Sequence, residues 1–130
     1  AESADELHDA LVTLGLVTEE EGKANGWEAY LQTLIADRRA TRLNGGRGEG
    51  ECFWVAAELV PMLTVLYPRA GLCPAVAAPP EYAARQWTAE EAAVELVRGR
   101  LQGIGPTTAS ALSESLHLSR SLIEQALAAL

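Results

Sequence analysis

The sequence predicts a mainly α-helical chain carrying one small β-hairpin, and three observations support this. Nearly half of the 130 residues are hydrophobic, yet there are only one Phe, three Trp and three Tyr. The core must therefore be assembled chiefly from Leu, Val and Ala, and Leu and Ala are strong helix formers. A Ser or Thr followed three residues later by Glu recurs at Ser3/Glu6, Thr18/Glu21 and Thr88/Glu91, the pattern of a capping box at a helix start. Finally, the longest apolar stretch, residues 52–68, changes period part-way. Phe53, Trp54 and Val55 have strand composition, whereas Leu59, Met62, Leu63 and Leu66 recur at helical spacing.

In chain order, Ser3 and Glu6 open a first helix whose Leu7, Leu11 and Leu14 form one stripe, and Gly15 follows it in the C′ position. Thr18 and Glu21 open a short acidic helix closed by Gly22 and the Asn25-Gly26 pair. Trp27, Leu31, Leu34 and Ile35, with Tyr30 beside them, mark a third helix. Residues 40–43 and 52–55 then read as two short strands joined by the Gly-rich run 44–50. Pro61 fits the first turn of the next helix, where its missing N–H costs nothing, and Pro68 stops that helix. Three helices followed by such a hairpin is the order of a winged-helix domain, here over residues 1–67 with the extra helix closing it.

Residues 68–87 shift to Pro, Ala and Gly, with Pro74, Pro79 and Pro80 among them, and predict a semi-rigid, irregular or polyproline-like linker. Tyr82 and Trp87 read as anchors fastening it to a neighbour. Over 88–130, Thr88 and Glu91 cap a helix with Ala93, Leu96, Val97, Leu101 and Ile104 on one face and Gly103 and Gly105 at its end. Thr107 or Thr108 caps the next, with Ala109, Leu112 and Leu116 inward. After His117-Leu118-Ser119, the Ser121/Glu124 pair begins a last helix marked by Leu122, Ile123, Ala126, Leu127 and Leu130. So short a connection makes the last two a helix-turn-helix. His117, in the turn, is expected in the left-handed conformation.

The formal charge is −8, with 12 acidic and 5 basic residues in 1–67 and 6 and 5 in 68–130. Affinity for nucleic acid rests largely on neutralising phosphates, so the chain alone is expected to bind DNA weakly. The possible backbone contacts are Arg38, Arg39, Arg42 and Arg47 around the hairpin and Arg120 at the start of the last helix. Glu28, Asp37 and Glu124 oppose phosphate there. Gly45-Gly46-Arg47-Gly48 lies between two strands, not between a strand and a helix as a phosphate-binding loop requires, and reads as a wing tip. Cys52 and Cys73 read as free thiols. There is no CxxC, HExxH or His cluster, so neither a metal site nor a catalytic residue is expected. No run reaches the roughly 18 apolar residues of a membrane span, and the acidic opening is unlike a signal peptide. A cytoplasmic location is expected. The opening without Met, and an end inside an apolar helix, read as a piece of a longer chain.

Several stretches together resemble the large helicase-related (Lhr) family of bacterial ATP-dependent DNA helicases. They are Ala4-Asp5-Glu6-Leu7-His8-Asp9-Ala10-Leu11 with Leu14-Gly15-Leu16, Trp54-Val55-Ala56-Ala57-Glu58 with Pro61, Glu95-Leu96-Val97-Arg98-Gly99-Arg100-Leu101, and Gly105-Pro106-Thr107-Thr108-Ala109. The resemblance implies a segment C-terminal to the two motor domains of a DNA repair helicase, in a region of repeated winged-helix units similar in arrangement to certain bacterial DNA glycosylases. It implies that the second unit stops before its wing, that ATP and Mg²⁺ belong to the motor domains, and that the partners are other domains of the same parent chain. Neither the GxxxxGKS/T nor the Asp-Glu-x-His motif is present, so no catalytic residue carries over. The expectation is a non-catalytic accessory unit that scaffolds the parent and touches DNA weakly, with no membrane or metal partner. The alternatives are a stand-alone winged-helix transcription regulator, or an acidic protein-interaction module.

Overall fold

The structure, a computed structural model, describes residues 2–44 and 52–130. It is mainly helical with a four-stranded antiparallel sheet. In order come α1 (Ala4–Leu14), β1 (Val17–Thr18), α2 (Glu19–Ala24), α3 (Glu28–Ala36), β2 (Ala40–Asn44) and β3 (Cys52–Ala56). A 3₁₀ turn (Ala57–Leu59) leads into α4 (Val60–Leu66), followed by β4 (Gly71–Cys73), α5 (Pro80–Ala83), α6 (Ala89–Ile104), α7 (Ala109–Leu116) and α8 (Arg120–Ala129).

The helix starts follow the capping residues. Thr18 and Thr88 each accept from the backbone N–H of the Glu three residues on, and that Glu accepts from the threonine's own N–H, so both boxes close. At α1 only half the box forms. Ser3 accepts from Glu6 N–H at 3.1 Å, while the Glu6 carboxylate takes the N–H of Glu2 at 2.7 Å. Gly15 ends α1 at φ 87°, donating to the Leu11 carbonyl. His117 sits at φ 55°, ψ 41°, the left-handed turn expected between α7 and α8. Two ends differ from expectation. Gly103 lies inside α6, which runs on to Gly105, and α8 is capped by Ser119, not Ser121, through a 3.2 Å bond from Leu122 N–H.

The sheet order is β1-β3-β2-β4. β2 and β3 form the expected hairpin, pairing Thr41 with Val55 and Leu43 with Phe53, while β1 places Val17 beside Trp54. The fourth strand corrects the reading of 68–87 as irregular. Residues 71–73 pair with the outer edge of β2, setting Leu72 beside Leu43, and Thr41 Oγ1 donates to the Pro74 carbonyl. An open strand edge presents unmet N–H and C=O groups, and a three-residue strand between prolines is too short to show a period. Pro80 likewise starts the short helix α5 instead of extending a polyproline run.

β3 explains the uninterrupted apolar character of its sequence. Phe53 and Val55 face a large cluster that includes Leu63, Leu96, Val97, Leu112 and Ile123, whereas Trp54 and Ala56 face a second one built from Leu7, Leu11, Leu31 and Leu34. A strand covered on both faces reads as a continuous hydrophobic run. The larger cluster runs from Leu16 to Ala126, so the divisions at 1–67, 68–87 and 88–130 divide the chain but not its core. α6 lies close against the end of α1: a Cβ at Gly99 would stand 2.1 Å from the Thr13 carbonyl oxygen. Ile104, expected inward, is 47% exposed at the far end of α6.

Candidate nucleic-acid interface

The arginines that the sequence points to are placed by the corner between α3 and β2, by β2 itself and by the start of α8. Arg38 turns that corner at φ 60°, exposed, and among the described residues its side chain has no ion-pair partner. Arg39, next to it, reaches back to α1, where its Nη1 lies 2.7 Å from Asp5 Oδ1. The Arg39 hydrogen bond holds the Asp5 carboxyl below its ordinary range, and Asp5 raises the Arg39 guanidinium in return. Arg42 points from β2 across the sheet. Its guanidinium lies over the Trp54 ring, 4.6 Å from the centroid, and Nη2 is 3.0 Å from Glu19 Oε1. Its Nε is buried without a partner. Arg47 lies outside the described residues, as does the Gly-rich run from 45.

On the helix-turn-helix, Ser119, Arg120, Ser121, Glu124 and Gln125 are all exposed, as expected of outward residues. Arg120, however, is bound along its own helix, Nε to Glu124 Oε1 at 2.9 Å, and its Nη1 reaches Ser110 Oγ at 3.4 Å. Gln125 Nε2 donates to Ser121 Oγ at 3.3 Å. The exposed residues of α3 are Glu28, Ala29, Gln32, Thr33 and Ala36, with no cation among them. Of the arginines in question, Arg39, Arg42 and Arg120 each have a carboxylate at ion-pair distance. Of the arginines in question that are described, Arg38 is the one with no carboxylate at ion-pair distance.

The sequence reading missed Arg100, the most deeply buried charge among the described residues. It is 2% exposed, and its Nη1 and Nη2 straddle the Glu21 carboxylate at 3.1 and 2.5 Å while Nη1 also donates to the Leu16 carbonyl at 2.8 Å. Burial pushes the Glu21 carboxyl up, but the hydrogen bonds from Arg100 and from Thr18 outweigh it and hold the group below 4.5. The signal was present in the spacing: Arg100 falls three, four and seven residues after Val97, Leu96 and Ala93 on the inward stripe of α6.

Two of the surface clefts among the described residues gather charged side chains. One of about 500 Å³ lies between α1, the 3₁₀ turn, α5 and α6, lined by Met62, Leu59, Tyr82, Trp87, Arg85 and Arg98 among others. Several of its charges are engaged: Arg98 pairs with Glu95, Glu58 Oε2 lies 2.9 Å from His8 Nε2, and Arg85 stacks 3.5 Å over Trp87. Trp87 packs against the core as the anchor it was expected to be, but Tyr82 is 46% exposed. The other cleft, about 420 Å³, is rimmed by Glu19, Glu20 and Glu114 over Phe53 and His117. Cys52 and Cys73 are free thiols. Among the described residues no group of three or more His, Cys, Asp or Glu could hold a metal ion, and no helix is long and apolar enough to cross a membrane. Compared with known protein families, characterised proteins and solved structures, the chain matches none.

Proposed function

We propose that this chain is a non-catalytic accessory unit of a cytoplasmic ATP-dependent DNA repair helicase of the large helicase-related kind, two winged-helix-type units serving as scaffold, the second without its wing. The element order α1-β1-α2-α3-β2-β3, with β1 alongside β3 and β3 alongside β2, supports the winged-helix reading of the first half. The α7–α8 pair with its left-handed turn supports the helix-turn-helix of the second. The observation that carries the scaffold role is the internal pairing of Arg39, Arg42 and Arg120 with Asp5, Glu19 and Glu124. A phosphate at any of the three competes with a carboxylate already in place instead of meeting a free cation. ATP and Mg²⁺ then belong to the motor domains of the parent, and the principal partners are those domains.

Titration of the chain with single-stranded and duplex DNA at low and moderate salt tests this. The expected dissociation constant at moderate salt is no tighter than the roughly 10⁻⁶ to 10⁻⁴ M of non-specific binders, with no sequence preference. Tight, sequence-dependent binding would overturn the scaffold reading in favour of a transcription regulator. The second reading, an acidic protein-interaction module, is favoured by the carboxylate-rimmed cleft of Glu19, Glu20 and Glu114. Binding of polylysine that Glu20→Gln and Glu114→Gln together leave unaltered would remove it.

A further inference from the structure

We infer that Arg100 couples the seating of α6 to the capping of α2, so that the two halves of the chain gain and lose order together. The capping box of α2 and the anchor of α6 use the same carboxylate. Glu21 Oε1 accepts the Thr18 N–H at 2.9 Å, which closes the box, and also accepts Arg100 Nη1 at 3.1 Å, while Oε2 takes Nη2. The two residues are 79 apart in sequence. α2 has six residues, far too few to persist on its own hydrogen bonds. Its order therefore depends on its cap and on what holds the cap in place.

The dependence runs both ways. Arg100 leaves the inward stripe of α6 beside Ala93, Leu96 and Val97, all fully buried, so its guanidinium cannot swing into water while α6 stays seated. Nε has no partner, and the donors that are satisfied end on Glu21 and the Leu16 carbonyl, both in the first half. If α2 unwinds, Arg100 is left as a buried charge without its counter-ion, an arrangement that strongly destabilises a fold. If α6 lifts away, the Glu21 carboxylate loses the bidentate partner that fixes it over the Thr18 N–H. A coupling free energy of this kind is reciprocal by thermodynamic necessity.

Amide hydrogen exchange on the full chain reads it directly, region by region. Thr18→Ala removes the Oγ1 acceptor that caps Glu21 N–H, half of the α2 box, without touching Arg100. The expected result is exchange faster by roughly five- to tenfold, the usual effect of a lost cap, in residues 19–25 and equally in 98–104. Arg100→Lys keeps the charge but gives up the fork that spans both oxygens, and is expected to speed exchange in 19–25 by a similar factor. Thr88→Ala, which opens the box at the start of α6 away from Glu21, is expected to leave 19–25 much less affected. Acceleration confined to α2 in Thr18→Ala, an unchanged α2 in Arg100→Lys, or an equal effect on α2 from Thr88→Ala would each overturn the coupling. Should Arg100→Lys not fold, the Thr18→Ala and Thr88→Ala comparison decides alone.

Discussion

Gly99→Ala tests whether α6 is seated on α1, the contact that joins the first half of the chain to the second. Two effects oppose one another. Alanine gains about 0.8–1 kcal/mol of helix propensity over glycine in a helix interior. Against that, the new Cβ stands 2.1 Å from the Thr13 carbonyl oxygen and 3.5 Å from the Leu14 carbonyl carbon, where ordinary contact begins at 3.4 Å. The obstacle is backbone, which no rotamer change can move. Relieving it requires a shift of α6 by about 1.3 Å along that line, and a gap of 0.5–1 Å already forfeits a quarter to a half of each dispersion contact behind it. Overpacking at the upper end of its usual range, about 3 kcal/mol, less the propensity gain, leaves a net loss of about 2 kcal/mol.

Gly103→Ala is the matched control. Its Cβ meets the Leu14 side chain, Cδ2 at 2.1 Å and Cγ at 3.0 Å, not backbone. A leucine can change rotamer, so the net change should stay within about 1 kcal/mol. In urea unfolding Gly99→Ala should lower the midpoint by about 1 M, taking a slope near 2 kcal/mol per M for a chain of this size. Its melting temperature should fall by about 8 °C. A Gly99→Ala protein as stable as the parent, or a control that loses more than the test, would refute the seating of α6 on α1 and restore the division into separate units.

Other consequences follow from single groups. Tyr67 lies buried between α4 and α7, donating to the Leu116 carbonyl at 2.6 Å, and burial pushes its phenol well above the ordinary value. Tyr67→Phe leaves that carbonyl unmet and should lower stability by about 1–2 kcal/mol; an unchanged unfolding midpoint would show the bond to be worth nothing. Glu21, held below 4.5, contributes stability that is present above that value and is lost as pH falls through the folded pKa. Glu21→Gln should thus be the less stable protein at pH 6, with the difference shrinking on acidification to pH 3; parallel stability profiles would contradict this. Whatever weak DNA affinity exists should depend on Arg38. Arg38→Gln is expected to reduce the salt slope by about one while Arg120→Gln changes it less, and the reverse order would show that the Arg120–Glu124 pair opens readily to phosphate.

What could be read in the sequence is what local chemistry decides. The capping boxes at Thr18 and Thr88, the strand in Phe53, Trp54 and Val55, and the left-handed turn at His117 all follow from a residue and its near neighbours. β4 could not be read, because three residues carry no period and its pairing is decided by the edge of β2, some 30 residues earlier. Nor could the seating of α6: a glycine at position 99 reads as a weak point in a helix until Thr13 stands against it. The candidate site was half legible. The concentration of arginines around 38–47 is visible in the sequence, but which carboxylate each one meets is a tertiary fact.

That tertiary fact changes what the arginines mean. In a chain with 18 acidic and 10 basic residues, cations are the scarcer charge, and of the three described arginines near the hairpin the fold commits two, Arg39 and Arg42, to joining elements. Arg39 ties β2 to α1, Arg42 ties β2 to the start of α2 across Trp54, and Arg100 ties α6 to the same helix. Each of these partners lies at least 23 residues away in sequence. Arg100 holds its fork over both oxygens of Glu21, while Arg39 and Arg42 each meet one carboxylate oxygen, and such contacts orient packed elements. A patch built to bind DNA would instead leave its guanidinium groups unpaired and facing water, as Arg38 alone does among the described arginines of the hairpin region.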